Sequence, residues 1–151
     1  MKRFIAGIDP DVDKAGFALW DRRDKKWVNV ATMHIEDIEA ALRNMEDLIV
    51  YVEAGWMNSK ANYRRGHKSS VSEQIAMRVG MNHCASKIVA RMLKKAGREV
   101  VEIPPLQKGF FKKDGSWTKI GKDYLRGHSG YDGKIVSGEI CDALLIVMHY
   151  R

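Results

Sequence analysis

Four acidic residues of this chain stand where acids are costly to place. Asp9 closes the apolar run Phe4 to Ile8, and Glu53 closes the run Leu48 to Val52. Asp142 lies inside the apolar run Ile140 to Met148, and Glu139 precedes it by three residues, on the same face of a helix. A carboxylate taken out of water must be paired or must bind a cation. Few Lys or Arg residues neighbour these acids in sequence, although a distant one can fold in. Carboxylates that converge repel one another, and hard divalent cations such as Mg²⁺ relieve that repulsion through oxygen ligands. Two such ions, roughly 3.5–4 Å apart, activate water and stabilise the leaving oxygen of a phosphodiester. The pattern therefore points to hydrolysis at a site holding two Mg²⁺ or Mn²⁺ ions, with Asp9, Glu53, Asp142 and Glu139 as ligands. Each acid also has a plainer reading. Asp9 can cap the turn before Pro10, Glu53 can be a surface acid, Asp142 can pair with a lysine of the middle segment, and Glu139 can serve a helix's first turn.

The charge pattern names a partner for such a site. Of the 151 residues, 1–55 carry 8 basic and 11 acidic side chains, whereas 56–128 carry 16 basic and 5 acidic. Acids at both ends and cations in the middle suit a polyanion held against a metal site, with nucleic acid the first candidate, or else a basic protein with a solvated middle. Candidate phosphate contacts are Lys60, Arg64, Arg65, Lys68, Lys108, Lys112, Lys113, Lys119 and Lys122. Trp56 follows Glu53 by three residues in a polar, basic stretch. There it can stack on an opened base or wedge between base pairs, or else cover the edge of the core. Asp9, Asp11 and Asp13 mimic a calcium loop, but the sixth and twelfth positions hold Lys14 and Trp20 instead of Gly and Glu. Asp11 and Asp13 are read as solvated turn residues.

The elements that must position these groups follow from periodicity. Three strands are expected at Arg3–Ile8, Gly16–Trp20 and Trp27–Met33, joined by short polar turns as an antiparallel meander. Ile35, Ile38, Leu42 and Met45 recur at helical spacing. Leu48–Glu53 is a fourth strand. A long helix follows residue 70, with Ile75, Val79, Val89, Leu93 and Ala96 on its inner face and Gly97 as its C-terminal cap. Val100–Ile103 is a fifth strand stopped by Pro104-Pro105. Residues 106–134 are basic and show no clear period, and Ser137 caps a last helix. The order β-β-β-α-β-α-β-α in one domain, 1–151, predicts an α/β fold: a mixed five-stranded sheet with helices on its faces.

Three stretches carry a family resemblance. Gly7-Ile8-Asp9-Pro10 with Gly16-Phe17-Ala18-Leu19-Trp20, then Val52-Glu53-Ala54-Gly55-Trp56, then Glu139-Ile140-Cys141-Asp142-Ala143-Leu144 together resemble the RuvC-type Holliday junction resolvases of the ribonuclease H-like superfamily. The resemblance implies a ribonuclease H-like sheet and metal ligation by Asp9, Glu53 and Asp142, with Glu139 as fourth acid. It also implies a homodimer that nicks opposed strands of a four-way DNA junction. Asp11 departs from the pattern where these resolvases commonly have glycine, and Glu139 where they usually have aspartate or histidine. Alternatives are a ribonuclease H cutting RNA–DNA hybrids and a DNA-binding module of the same fold with a degenerate site. Cys84 and Cys141 are read as reduced thiols. The short apolar stretch after Lys2-Arg3 is neither a signal peptide nor a membrane span, so a cytoplasmic protein of a bacterium, phage or mobile element is expected.

Overall fold

The computed structural model describes residues 1–58 and 69–151. β1 (Phe4–Asp9), β2 (Ala15–Asp21) and β3 (Lys26–Met33) form the antiparallel meander. β4 (Leu48–Glu53) and β5 (Glu99–Ile103) extend it as parallel neighbours of β1, giving the order β3-β2-β1-β4-β5. This is the mixed sheet that the element order predicts.

Period-two alternation divides the strands between two hydrophobic layers. Ala6, Ile8, Phe17, Leu19, Leu48, Val50 and Val52 face one side, against α1 (Ile38–Leu42) and α2 (Ser69–Lys95). Ile5 and Ala18 face the other, against α3 (Lys119–Ser129) and α4 (Gly138–Tyr150). Two glycines let α4 lie close to the sheet. A Cβ at Gly16 would fall 2.0 Å from the carbonyl oxygen of Glu139, and one at Gly7 would fall 2.9 Å from that of Ala143. Ser137 caps α4 as expected, its hydroxyl accepting from the amide of Ile140 at 3.3 Å.

Three readings of the sequence need correction. The stretch 106–134 is not without structure: it holds a hairpin, β6 (Lys112–Lys113) with β7 (Ser116–Trp117), and then α3. Its period is hidden because the buried residues of α3 are Gly121, Leu125 and Ser129, with a single large apolar side chain among them. The helical spacing at 35–45 yields a 3₁₀ turn, Ile35–Asp37, followed by the five residues of α1. In α2 the inner face is narrower than the spacing suggests. Val89 and Leu93 are buried, Ile75 and Val79 are half-buried, and Ala96 is exposed just past the last turn. Gly97 does end the helix, with φ +78° and hydrogen bonds from its own amide to Lys94 and from that of Arg98 to Leu93. Among the described residues no helix is long and apolar enough to cross a membrane.

Candidate active site

Strand register places the first two acids. Ile8 of β1 pairs with Val52 of β4, so the next residues along these parallel strands, Asp9 and Glu53, emerge side by side. Alternation puts both on the face that carries α4. The close passage of α4 over Gly7 and Gly16 brings Asp142 to the same place. Asp142 is buried, at 5% exposure.

The cations that neutralise this cluster come from far along the chain, Lys108 between β5 and the hairpin and Lys112 at the start of β6. Lys108 Nζ lies 2.7 Å from Glu53 Oε2 and 2.9 Å from Asp142 Oδ1. Lys112 Nζ lies 2.8 Å from Asp142 Oδ2. The indole Nε1 of Trp117 donates to Asp142 Oδ1 at 3.3 Å. Burial pushes the carboxyl of Asp9 well above the usual carboxylate range, and the negative charges of Asp142 and Glu53 push it further. Burial alone would lower Lys108, but the charges of Asp142, Glu53 and Asp9 outweigh it and hold the ammonium above its ordinary value.

Two clefts open on these groups. One, of about 240 Å³, is lined by Asp9, Glu53, Gly55, Asn82, His83 and Ser86. The other, of about 590 Å³, is lined by Asp9, Lys112, Trp117, Lys122, Glu139 and Asp142. Glu139 thus shares a cleft with Asp142 but joins none of its ion pairs. Asp11 accepts from the side-chain amide of Asn82 at 3.0 Å, so it ties the β1–β2 turn to α2 and is not simply solvated. Asp13 is exposed, as read.

The remaining candidates divide. Trp56 lies in a 3₁₀ turn, Gly55–Met57, half-buried, with the ammonium of Lys87 5.4 Å from its ring centre. Lys113 and Lys119 are exposed, and Lys119 pairs with Asp123 at 3.1 Å. Lys60, Arg64, Arg65 and Lys68 lie outside the described residues. Asn82, His83, Ser86 and Trp117 line the clefts without having been singled out in the sequence. Their helix or hairpin meets the site only through tertiary packing, and no local spacing marks them.

Among the described residues no three His, Cys, Asp or Glu side chains stand close enough to form a ligand cluster for a metal. Lysine ammoniums sit against Glu53 and Asp142. The donor set nevertheless fits a hard divalent cation, since Asp9, Glu53, Glu139 and Asp142 offer carboxylate oxygens alone. Positive charge is also what this place already accepts.

No family model matches the sequence, and no curated protein matches it. Solved structures do match. Thermus thermophilus RuvC in complex with a Holliday junction substrate superposes with a TM-score of 0.57 at 19% identity, over 96% of this chain and 90% of that one. A second structure of Thermus thermophilus RuvC gives 0.55 at 20% identity, over 96% and 91%. The fold is that of RuvC. The likeness covers 96% of this chain, and so nearly all of the sheet and helices described above.

Proposed function

We propose that this protein is a metal-dependent endonuclease that cleaves four-way DNA junctions by paired nicks. The observation that carries the reading is the convergence of Asp9, Glu53 and Asp142 on one face of the sheet, beneath lysines from a basic segment. Asp9, Glu53 and Asp142, with Glu139 on the cleft wall, would hold Mg²⁺ or Mn²⁺. Such ions, when bound, supply an activated water and neutralise charge on a scissile phosphate. The chain's own groups do the rest. The two clefts admit the strand, Lys108 and Lys112 offer ammoniums to its phosphates, and Trp117 holds Asp142 in orientation. Trp56, flanking Glu53, would stack at the opened junction centre. Lys113, Lys119 and Lys122, with Lys60, Arg64, Arg65 and Lys68, would contact the phosphate backbone, so affinity would fall steeply with salt.

Paired nicking of a nearly two-fold junction calls for two sites related by the same axis, hence a homodimer. α2 supports this. Met77, Met81, Cys84 and Ile88 recur at spacings of four, three and four residues, and all four are exposed. That is the stripe a second helix of the same kind would cover. Sedimentation on and off junction DNA tests the pairing, and a strict monomer in both would leave a single-nick nuclease.

The lysine contacts on Glu53 and Asp142 favour one second reading, a DNA-binding module whose carboxylates hold lysines instead of metal. A single experiment separates the readings. Four-way junction, linear duplex and RNA–DNA hybrid are offered in equal amounts, with and without Mg²⁺. Paired Mg²⁺-dependent nicks in the junction support the nuclease. Binding without cleavage supports the module, and cleavage of the hybrid alone supports a ribonuclease H.

A further inference from the structure

Among the described residues the aromatic side chain of Phe110 stands out in solvent, 77% exposed. An isolated exposed ring needs no explanation, but this one is held in place. The amides of Phe111 and Lys112 both donate to the carbonyl of Lys108 at 2.9 Å, forming a tight turn with Phe110 inside it. The carbonyl of Phe111 accepts from the amide and hydroxyl of Thr118, at 2.9 and 3.0 Å. The Phe111 ring stacks on Trp117 at 5.7 Å and lies 4.9 Å from Tyr124. Phe110 stands edge-on to Phe111, 5.4 Å away at 85°. The turn is therefore anchored by one aromatic while it presents the other to solvent.

Its position gives the ring a use. Lys108 and Lys112 lie two residues before and two after it, and both touch the carboxylate cluster. With consecutive Cα atoms 3.8 Å apart, Phe110 is anchored within about 8 Å of either lysine's backbone. Lys113 and Lys119 nearby in sequence are exposed, and Asp114 is the one acid from 104 to 122. An aromatic face in a turn between two lysines that touch the carboxylate cluster matches the chemistry that holds unpaired nucleic acid: backbone on lysines, base on a ring. Trp56 lies in a different element, the 3₁₀ turn Gly55–Met57, next in sequence to Gly55 of the smaller cleft.

We propose that Phe110 is a base-stacking contact for an unpaired nucleotide next to the phosphate at the Asp9–Glu53–Asp142 cluster. The inference rests on the nuclease reading, and it assigns to the hairpin side a contact distinct from that of Trp56. The test measures binding by the full chain in EDTA, so that no strand is cut. The probes are a fully paired duplex, a four-way junction and a single strand, the latter two carrying 2-aminopurine at successive positions. Phe110→Ala should weaken binding to the junction and the single strand about tenfold and leave duplex binding within about twofold. It should also abolish the quenching of 2-aminopurine at one position, and Phe110→Trp should restore both. Phe110→Leu, which keeps apolar area without a ring face, should behave like the alanine variant. Unchanged affinity and quenching in Phe110→Ala would overturn the proposal and leave the nuclease reading standing. So would equal losses on all three DNAs, or full rescue by leucine, the last pointing to an apolar contact with a protein partner. Failure of the wild-type chain to bind any of the DNAs would overturn both.

Discussion

Lys108 donates through Nζ to both carboxylate oxygens of Glu53, at 3.0 and 2.7 Å. Both side chains are nearly buried, at 11% and 12% exposure, so water screens this contact little. The same ammonium reaches Asp142, and a metal ion entering the cluster must displace it or share the carboxylates with it.

Replacing Lys108 by Met separates the two roles of this cation. Breaking a buried ion pair by removing one partner costs about 3 kcal/mol, so Lys108→Met should melt lower in EDTA. The freed carboxylates should bind Mn²⁺ about tenfold more tightly, worth ~1.4 kcal/mol, and added Mn²⁺ should restore the melting temperature. Cleavage should still fall, since a phosphate contact is lost. Electron paramagnetic resonance of free Mn²⁺ measures the affinity directly. An unchanged Mn²⁺ isotherm would show that lysine and metal do not compete.

Asp9→Asn should abolish cleavage and raise stability in the absence of metal. Burial and the neighbouring carboxylates disfavour the ionised form of Asp9, so the neutral amide relieves that penalty at neutral pH. A melting temperature higher by a few degrees, together with retained or tighter DNA binding, is the expected pair of results. Glu139→Gln should reduce turnover less than Asp142→Asn, because Glu139 borders the cleft outside the ion-paired cluster.

Trp117→Phe keeps the stacking on Phe111 and removes the hydrogen bond to Asp142 Oδ1. A net hydrogen bond is worth about 1 kcal/mol, so kcat should fall several-fold while the melting temperature changes little. A Trp117→Phe variant with full kcat would leave Trp117 a packing residue only.

Gly16→Ala should be severe. The new methyl would sit 2.0 Å from the Glu139 carbonyl oxygen, on backbone that has no rotamer to move. Overpacking of this kind costs about 3 kcal/mol or more, and the displaced α4 would carry Asp142 off the site. Calorimetry and a cleavage assay should both register the loss. Wild-type stability in this variant would contradict the close docking of α4.

Arg3 and Asp21 give the acid limb of the stability profile. Side-chain hydrogen bonds from Arg3, and backbone hydrogen bonds at Asp24 and Arg23, hold Asp21 down to about 2. A carboxylate lowered on folding stabilises above its unfolded value, about 3.9, and loses that contribution as pH falls towards its folded value. Asp21→Asn should therefore lower the urea midpoint near pH 6, with the gap to wild type narrowing near pH 2.5.

The sequence made the strands and the three principal acids legible because their signals are local. Alternation, a proline after Asp9 and a serine before α4 are read within a few residues. Lys108 and Lys112 were visible only as members of a basic stretch. That they turn inward onto Glu53 and Asp142 depends on the path from β5 into the hairpin, whose turn at Asp114 and Gly115 takes positive φ at both residues. α3 was missed because Gly121 and Ser129 occupy its buried face, where a hydrophobic period would have been expected. His83 and Asn82 reach the clefts from α2, across the sheet edge, and carry no mark in their own neighbourhood.

The passage of α4 over Gly7 and Gly16 also fixes when the carboxylate cluster is complete. Asp9 and Glu53 are synthesised before Asp142. Strands β1 and β4 can pair during synthesis, yet the third carboxylate and the capped helix that carries it do not then exist. A chain interrupted before residue 138 keeps every described strand and lacks the carboxylate that α4 carries. On the proposed nuclease reading, strand cutting waits until α4 has been made and has docked over Gly7 and Gly16, so the nascent chain holds an incomplete carboxylate set while its sheet forms.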